Sequence, residues 1–139
     1  MPRAIDAQIA NIKHNLYTQK WLSAPDDSEH TVQPFPTNGD RFAAAELSKR
    51  LDKEGFQRKG FMAQAVAAGW HHKSVAQLQE MADKVGRERI MVCHGTEDRM
   101  IPFPHARVLV DALGGEEKVT AYLVEGMGHV IPIEMRWEF

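Results

Sequence analysis

The sequence predicts an α/β fold in which an all-helical segment precedes a small unit of two parallel strands. Apolar residues recur at helical spacing through residues 3–85. Short continuous apolar runs follow at 89–94 and 119–124, and a helical pattern over 105–113 separates them. Because such a strand–helix–strand unit crosses over right-handed, we expect its strands to be parallel. Pro132 then opens a last helix, which completes a β-α-β-α unit.

Four helices and one loop make up the predicted helical part. A first helix spans about residues 3–20, where Ile5, Ile9, Ile12 and Leu16 share a face. A proline-rich loop covers residues 23–38, and a second helix begins near Asp40. A third helix ends near Trp70, and Ser74 is placed to cap a fourth.

Composition excludes several classes of function. The 139 residues suffice for one domain, and 17 Lys and Arg against 19 Asp and Glu leave a net charge of -2. We therefore expect no nucleic-acid partner. No apolar run reaches the roughly 20 residues of a membrane span, and no apolar signal segment follows Met1, so we expect a cytoplasmic protein. The single cysteine, Cys93, excludes an internal disulfide and a four-cysteine zinc site.

An acid and a histidine follow the two predicted strands at corresponding places. Asp98 lies in the loop after the first strand and His129 in the loop after the second. Loops at the carboxyl ends of parallel strands carry the functional groups of open α/β sheets. A carboxylate beside an imidazole fixes its tautomer and stabilises its protonated form, which leaves the other ring nitrogen as a base. Three alternatives stay open: Asp98 as a turn residue, Glu97 as the acid, and His129 as a structural loop histidine.

These loops resemble the C-terminal part of the α/β-hydrolase superfamily. The resemblance rests on His94-Gly95, Asp98, Ile101-Pro102, His105-Ala106 and the segment Glu125-Gly126-Met127-Gly128-His129. It implies a partial α/β-hydrolase fold, with residues 1–86 as a helical lid and 87–139 as the C-terminal part of the core. It also implies that Asp98 is the catalytic acid and His129 the general base.

The nucleophile of that family lies on a Gly-x-Ser-x-Gly turn upstream of the lid, and no such turn occurs here. The serines are Ser23, Ser28, Ser48 and Ser74. We therefore expect a fragment of a carboxylic ester or related acyl hydrolase, acting on a small-molecule substrate when complete and inactive alone. Dehalogenases and epoxide hydrolases of this fold use an aspartate nucleophile, and the sequence does not exclude them. The resemblance implies no metal or organic cofactor.

A second class of function is a non-catalytic interaction module that uses part of this fold. Two parallel strands leave two open edges, which would be covered by self-association or by a partner. The other notable side chains favour structural roles. The pair His71-His72 suits a helix-end surface better than a metal site, because neighbouring helical side chains diverge by about 100°. His94 and His105 are expected to be structural and Cys93 a small buried hydrophobe. Met62, Met81 and Trp70 are expected to be helix-packing residues, with the lining of an acyl pocket under a lid as the alternative.

Overall fold

The computed structural model describes residues 4–26, 28, 34–55 and 57–135. Two compact units form, one from residues 4–22 with 74–135 and one from residues 23–73. In the described residues the elements, in chain order, are helices α1 (Ile5–Leu16), α2 (Gln19–Ser23), α3 (Asn38–Leu51), α4 (Arg58–Trp70) and α5 (Val75–Val85), a 3₁₀ turn (Arg87–Arg89), strand β1 (Met91–Gly95), helix α6 (Pro104–Leu113), strand β2 (Thr120–Val124) and helix α7 (Ile131–Glu134). The predicted α/β class is confirmed. The predicted division at residue 86, with a lid before it and the C-terminal part of a hydrolase core after it, stays a prediction.

The two strands pair in parallel, as the crossover rule predicted. Met91 lies opposite Thr120, and the register runs without a break to Gly95 opposite Val124. β1 begins two residues later than predicted because Arg87–Arg89 forms a 3₁₀ turn, in which the Ile90 N–H donates to the Arg87 carbonyl. The strands are less buried than their sequence predicts, and Met91 is 58% exposed.

In the unit formed by residues 4–22 and 74–135, the core lies between α5, α6 and the sheet. Its buried members are Ala82, Val92, Val110, Leu113 and Val119. α5 begins with the predicted cap, since the Ser74 hydroxyl accepts from the Gln77 N–H and the Gln77 side chain accepts from the Ser74 N–H. α6 ends at Gly114, whose left-handed backbone (φ 118°) ordinary residues avoid. The Arg87 guanidinium donates to the Leu113 carbonyl at this end.

The predicted helix over residues 3–20 is interrupted at Tyr17, whose backbone is extended. In an unbroken helix the Thr18 N–H would donate to the His14 carbonyl. Instead it donates to the Glu134 carboxylate, and the His14 carbonyl accepts from Arg99. The Tyr17 and Trp21 rings are buried and stack with centroids 4.4 Å apart. Distant partners therefore replace the helical hydrogen bonds at this point.

The second unit contains α3 and α4. The Thr37 hydroxyl caps α3 by accepting from the Asp40 N–H, so the helix begins at Asn38, two residues before the predicted start. The Asp26 carboxylate accepts from the Arg41 side chain of α3 at 2.7 Å. α4 has no buried residue. The predicted loop over residues 23–38 lies partly outside the described residues. In the described part of the chain, no helix is long and apolar enough to cross a membrane.

Candidate active site

The loops that follow β1 and β2 are joined by hydrogen bonds. The Thr96 N–H donates to the Val124 carbonyl at 3.0 Å, and the Glu97 N–H to the Met127 carbonyl at 2.9 Å. In return, the Gly126 N–H donates to the Thr96 hydroxyl at 2.9 Å. Because the strands are parallel and neighbours, both loops leave the same edge of the sheet. Three hydrogen bonds therefore hold together the loop after β1, which carries Asp98 (the acid loop), and the loop after β2, which carries His129 (the histidine loop).

Gly95 makes this close approach of the two loops possible. A Cβ atom at this position would lie 2.2 Å from the Met127 carbonyl oxygen and 2.4 Å from that of Gly128. Both distances are shorter than any real Cβ contact, and the opposing atoms belong to the backbone. Only glycine therefore fits at this last position of β1, where the strand meets the loop after β2.

Asp98 is buried and hydrogen-bonded through both carboxylate oxygens. Oδ1 accepts from the backbone N–H groups of Met100 and Ile101, each at 2.8 Å. Oδ2 lies 2.8 Å from Nδ1 of His129. Burial raises the pKa of Asp98, but the hydrogen bonds from Ile101, His129 and Met100 outweigh it and hold that pKa below its usual value. The group is therefore an anion at neutral pH, with a fixed orientation.

His129 is positioned to act as a base through its second ring nitrogen. An ionised carboxylate only accepts hydrogen bonds, so the proton shared with Asp98 resides on Nδ1 of His129. Nε2 then carries the lone pair, and within the described residues it makes no hydrogen bond. The side chain is 29% exposed, so this nitrogen is accessible from outside the loop. The structure thus brings the predicted acid and base together, while their catalytic roles remain predictions.

The histidine loop is held by the C-terminal end of α1 and by Glu134 of α7, which also binds Thr18. The His129 N–H donates to the Leu16 carbonyl at 2.8 Å. Glu134 accepts from the Gly128 N–H through Oε1 (3.1 Å) and from the Thr18 hydroxyl through Oε2 (2.5 Å). Sequence reasoning missed Leu16, Thr18 and Glu134. Only Glu134 carried a signal, as an acidic residue in the short proline-initiated helix after the histidine.

His94 lies closer to the site than the sequence suggested. Its Nε2 is 3.4 Å from Oδ2 of Asp98, and its Nδ1 is 2.9 Å from the Gly95 carbonyl oxygen. Nε2 is buried and has no hydrogen-bond partner among the described residues. The rival acid, Glu97, is exposed, and its carboxylate makes no contact with His129.

The remaining candidates do not join this cluster. Within the described residues, no hydroxyl group hydrogen-bonds to the His129 ring, and no group of three potential ligands could hold a metal ion. Burial raises the pKa of the Cys93 thiol, which is not poised as a nucleophile. The predicted packing roles of Met62, Met81 and Trp70 are wrong for the described residues, because these side chains are 49%, 45% and 87% exposed.

Comparison with known proteins adds no relative to this description. No protein family, curated protein or solved structure matches the chain. The resemblance to α/β-hydrolases therefore stays a prediction from the loop residues.

Proposed function

We propose that this chain supplies the acid and the general base of an α/β-hydrolase that cleaves carboxylic esters or related acyl bonds. The observation that carries the proposal is the 2.8 Å contact between Nδ1 of His129 and Oδ2 of Asp98 at the carboxyl edge of two parallel strands. A buried, oriented carboxylate next to a partly exposed imidazole is the arrangement that a nucleophilic hydroxyl requires for activation. The loop sequences that resemble the family lie in these same positions.

The reaction follows from the protonation states of the pair. A serine hydroxyl, contributed from outside the described residues, attacks the substrate carbonyl while Nε2 of His129 takes its proton. The Asp98 carboxylate stabilises the imidazolium that forms. His129 then donates this proton to the leaving alkoxide, which yields an acyl-enzyme. Water hydrolyses that intermediate by the same proton transfers, again through His129.

The test is hydrolysis of a short p-nitrophenyl ester by a polypeptide that joins this chain to a serine elbow. We expect His129→Ala to lower kcat at least about 10³-fold, as loss of a triad member does in serine hydrolases. His105→Ala is the matched control, because this histidine is exposed in the first turn of α6 and touches neither Asp98 nor His129. Undiminished turnover in the His129 variant would refute the proposal.

A non-catalytic interaction module is the second candidate, and the sheet favours it. In the described residues β1 and β2 pair only with each other, so each strand has an open edge. Open edges of this kind recruit further strands. This function predicts a stable oligomer at micromolar concentration in a sedimentation experiment, without esterase activity. A folded monomer would eliminate it.

A further inference from the structure

Helix α4 is apolar on most of its surface, yet the chain leaves it uncovered. Only three of its thirteen residues have polar side chains: Arg58, Lys59 and Gln64. No residue of α4 is buried, and its four large apolar side chains are 49% to 87% exposed: Phe61, Met62, Val66 and Trp70. A helix that is apolar all round is ordinarily buried among other elements, because apolar surface in water is unfavourable. We therefore expect another polypeptide to cover α4.

Four residues of α4 form one continuous stripe. Arg58, Met62, Val66 and Trp70 follow one another at intervals of four, so they share a face about 120° wide. The stripe begins with a cation, continues with two aliphatic side chains and ends with an exposed aromatic ring. Gly69 lies on the same face, and a Cβ atom there would meet nothing within 4 Å. A second helix can therefore approach the backbone closely at this point.

A second copy of the stripe, turned end for end, is complementary to the first. When two antiparallel α4 helices are aligned about their midpoints, Met62 of each copy lies opposite Val66 of the other. Arg58 of each copy then lies opposite Trp70 of the other, where a guanidinium can rest on the exposed indole face as a cation–π pair. Every contact occurs twice, as a two-fold symmetric dimer requires.

The charges of α4 favour this antiparallel orientation over a parallel one. Arg58 and Lys59 lie in the first turn, at the positive end of the helix dipole, and the helix contains no acidic residue. A parallel pair would bring four cations and two positive helix ends together. The antiparallel pair separates them by the length of the helix, which is about 20 Å for thirteen residues.

We propose that the stripe of Arg58, Met62, Val66 and Trp70 is a self-association surface, through which two copies of this chain pair as antiparallel α4 helices. The inference goes beyond the proposed catalytic function and does not depend on it, because α4 belongs to the unit of residues 23–73 and the pair of Asp98 and His129 to the other unit. The open edges of β1 and β2 also belong to that other unit. Since one short helix per copy makes a small interface, we expect a weak dimer with a Kd of about 1–100 µM.

Sedimentation of the 139-residue chain at concentrations from about 1 to 300 µM tests the proposal. The average mass should rise from the 15.7 kDa of one chain towards twice that value. Val66→Glu should weaken the dimer at least about tenfold, because it places a carboxylate against Met62 of the second copy. Gln64→Glu is the matched control, since it adds the same carboxylate on the opposite side of α4 and should leave the dimer intact. Neither residue is buried within the chain, so we expect both variants to fold, which circular dichroism verifies.

A double-mutant cycle tests the pairing of Arg58 with Trp70 and hence the orientation. In the wild type, Arg58→Glu replaces the cation at the indole face by an anion and should weaken the dimer about threefold or more. In a Trp70→Arg background, the same substitution places a carboxylate opposite the new guanidinium of the second copy, so it should strengthen the dimer. A parallel pair predicts no such reversal of sign, because residues 58 and 70 would then lie at opposite ends.

Three results would overturn the inference. The first is a wild-type chain that stays monomeric at the highest concentration. The second is a dimer that Val66→Glu leaves as tight as the wild type, which would place the contact elsewhere, for example at the open strand edges. The third is an effect of Arg58→Glu that has the same sign in both backgrounds. In each case the proposed catalytic function stands, because none of these variants changes the unit that holds Asp98 and His129.

Discussion

At the scale of single residues, the Asp98 carboxylate connects the parts of the candidate site. One oxygen is held by two backbone N–H groups of its own loop, and the other meets the imidazole of the neighbouring loop. A side chain held on both oxygens has one orientation, and that orientation selects the tautomer of His129. A single charge thus selects which ring nitrogen of His129 carries the proton, and it ties together the loops after β1 and β2.

The lowered pKa of Asp98 has a consequence for stability that can be measured. A carboxyl with a lower pKa in the folded than in the unfolded chain stabilises the fold above its unfolded pKa, and this contribution is lost as the pH falls through the folded pKa. We therefore expect the free energy of unfolding of the wild type to fall more steeply between pH 5 and about pH 2 than that of Asp98→Asn. Urea unfolding followed by circular dichroism across this range measures the difference.

Two other carboxylates also make the stability of the folded chain depend on pH, but they do not affect this comparison. The pKa values of Asp26 and Glu46 are also lowered in the folded chain, and both groups are present in each protein compared. Their contributions cancel in the difference between the two curves. If the free energies of unfolding of wild type and Asp98→Asn change in parallel with pH, folding does not lower the pKa of Asp98.

At the scale of elements, a glycine in β1 controls the distance between the two loops. Because a Cβ at residue 95 would overlap backbone oxygens of the histidine loop, we expect Gly95→Ala to destabilise the fold by about 1–3 kcal/mol or more. The matched control is Gly60→Ala in α4, where a Cβ meets nothing within 4 Å and better helix propensity should add up to about 1 kcal/mol. Urea unfolding compares them, and a Gly95→Ala protein as stable as wild type would contradict the close approach.

The short helix α7 holds the histidine loop through the carboxylate of Glu134. Glu134→Ala leaves the N–H of Gly128 and both donors of the buried Thr18 without their acceptor, which costs about 1–3 kcal/mol. We expect the amide protons of Thr18 and Gly128 to exchange faster with solvent in this variant. Glu125→Ala removes an exposed carboxylate from the same loop and should leave both amides protected. Equal protection in the two variants would show that Glu134 does not hold the loop.

Local signals were enough to predict most elements of this fold. The strand–helix–strand pattern predicted the parallel pairing, and the Ser74 cap predicted the start of α5. Asp98 and His129 were also singled out from the sequence, because corresponding positions after parallel strands converge on one edge. These features depend on neighbours in the chain or on a topological rule.

Features that depend on distant partners escaped sequence reasoning. The break at Tyr17 follows from Glu134 and Arg99, which lie more than 80 residues away and take over the helical hydrogen bonds. The spacing of apolar residues along the sequence does not indicate such contacts, because each contact joins residues that are far apart in the chain.

At the scale of the whole molecule, the two compact units differ in how well their helices are buried. The unit formed by residues 4–22 and 74–135 has a continuous core and long-range hydrogen bonds between its segments. In the unit of residues 23–73, α4 buries none of its residues, and Trp70 at its end is 87% exposed. Local opening is easiest where few apolar contacts must be broken. Backbone mobility should therefore concentrate in residues 52–55 and 57–73.

Limited trypsin digestion tests this difference in burial. Lys53 and Lys73 are exposed and lie outside helices, so we expect the first cuts there, about tenfold faster than at Arg99 or Lys118. Arg99 is exposed too, but its side chain donates to the His14 carbonyl, so its cleavage requires opening of the better-packed unit. Mass spectrometry of the first fragments identifies the order of cleavage. Digestion in urea is the control and should abolish the preference, whereas a first cut at Arg99 in the native chain would place the weakest part of the fold at the candidate site.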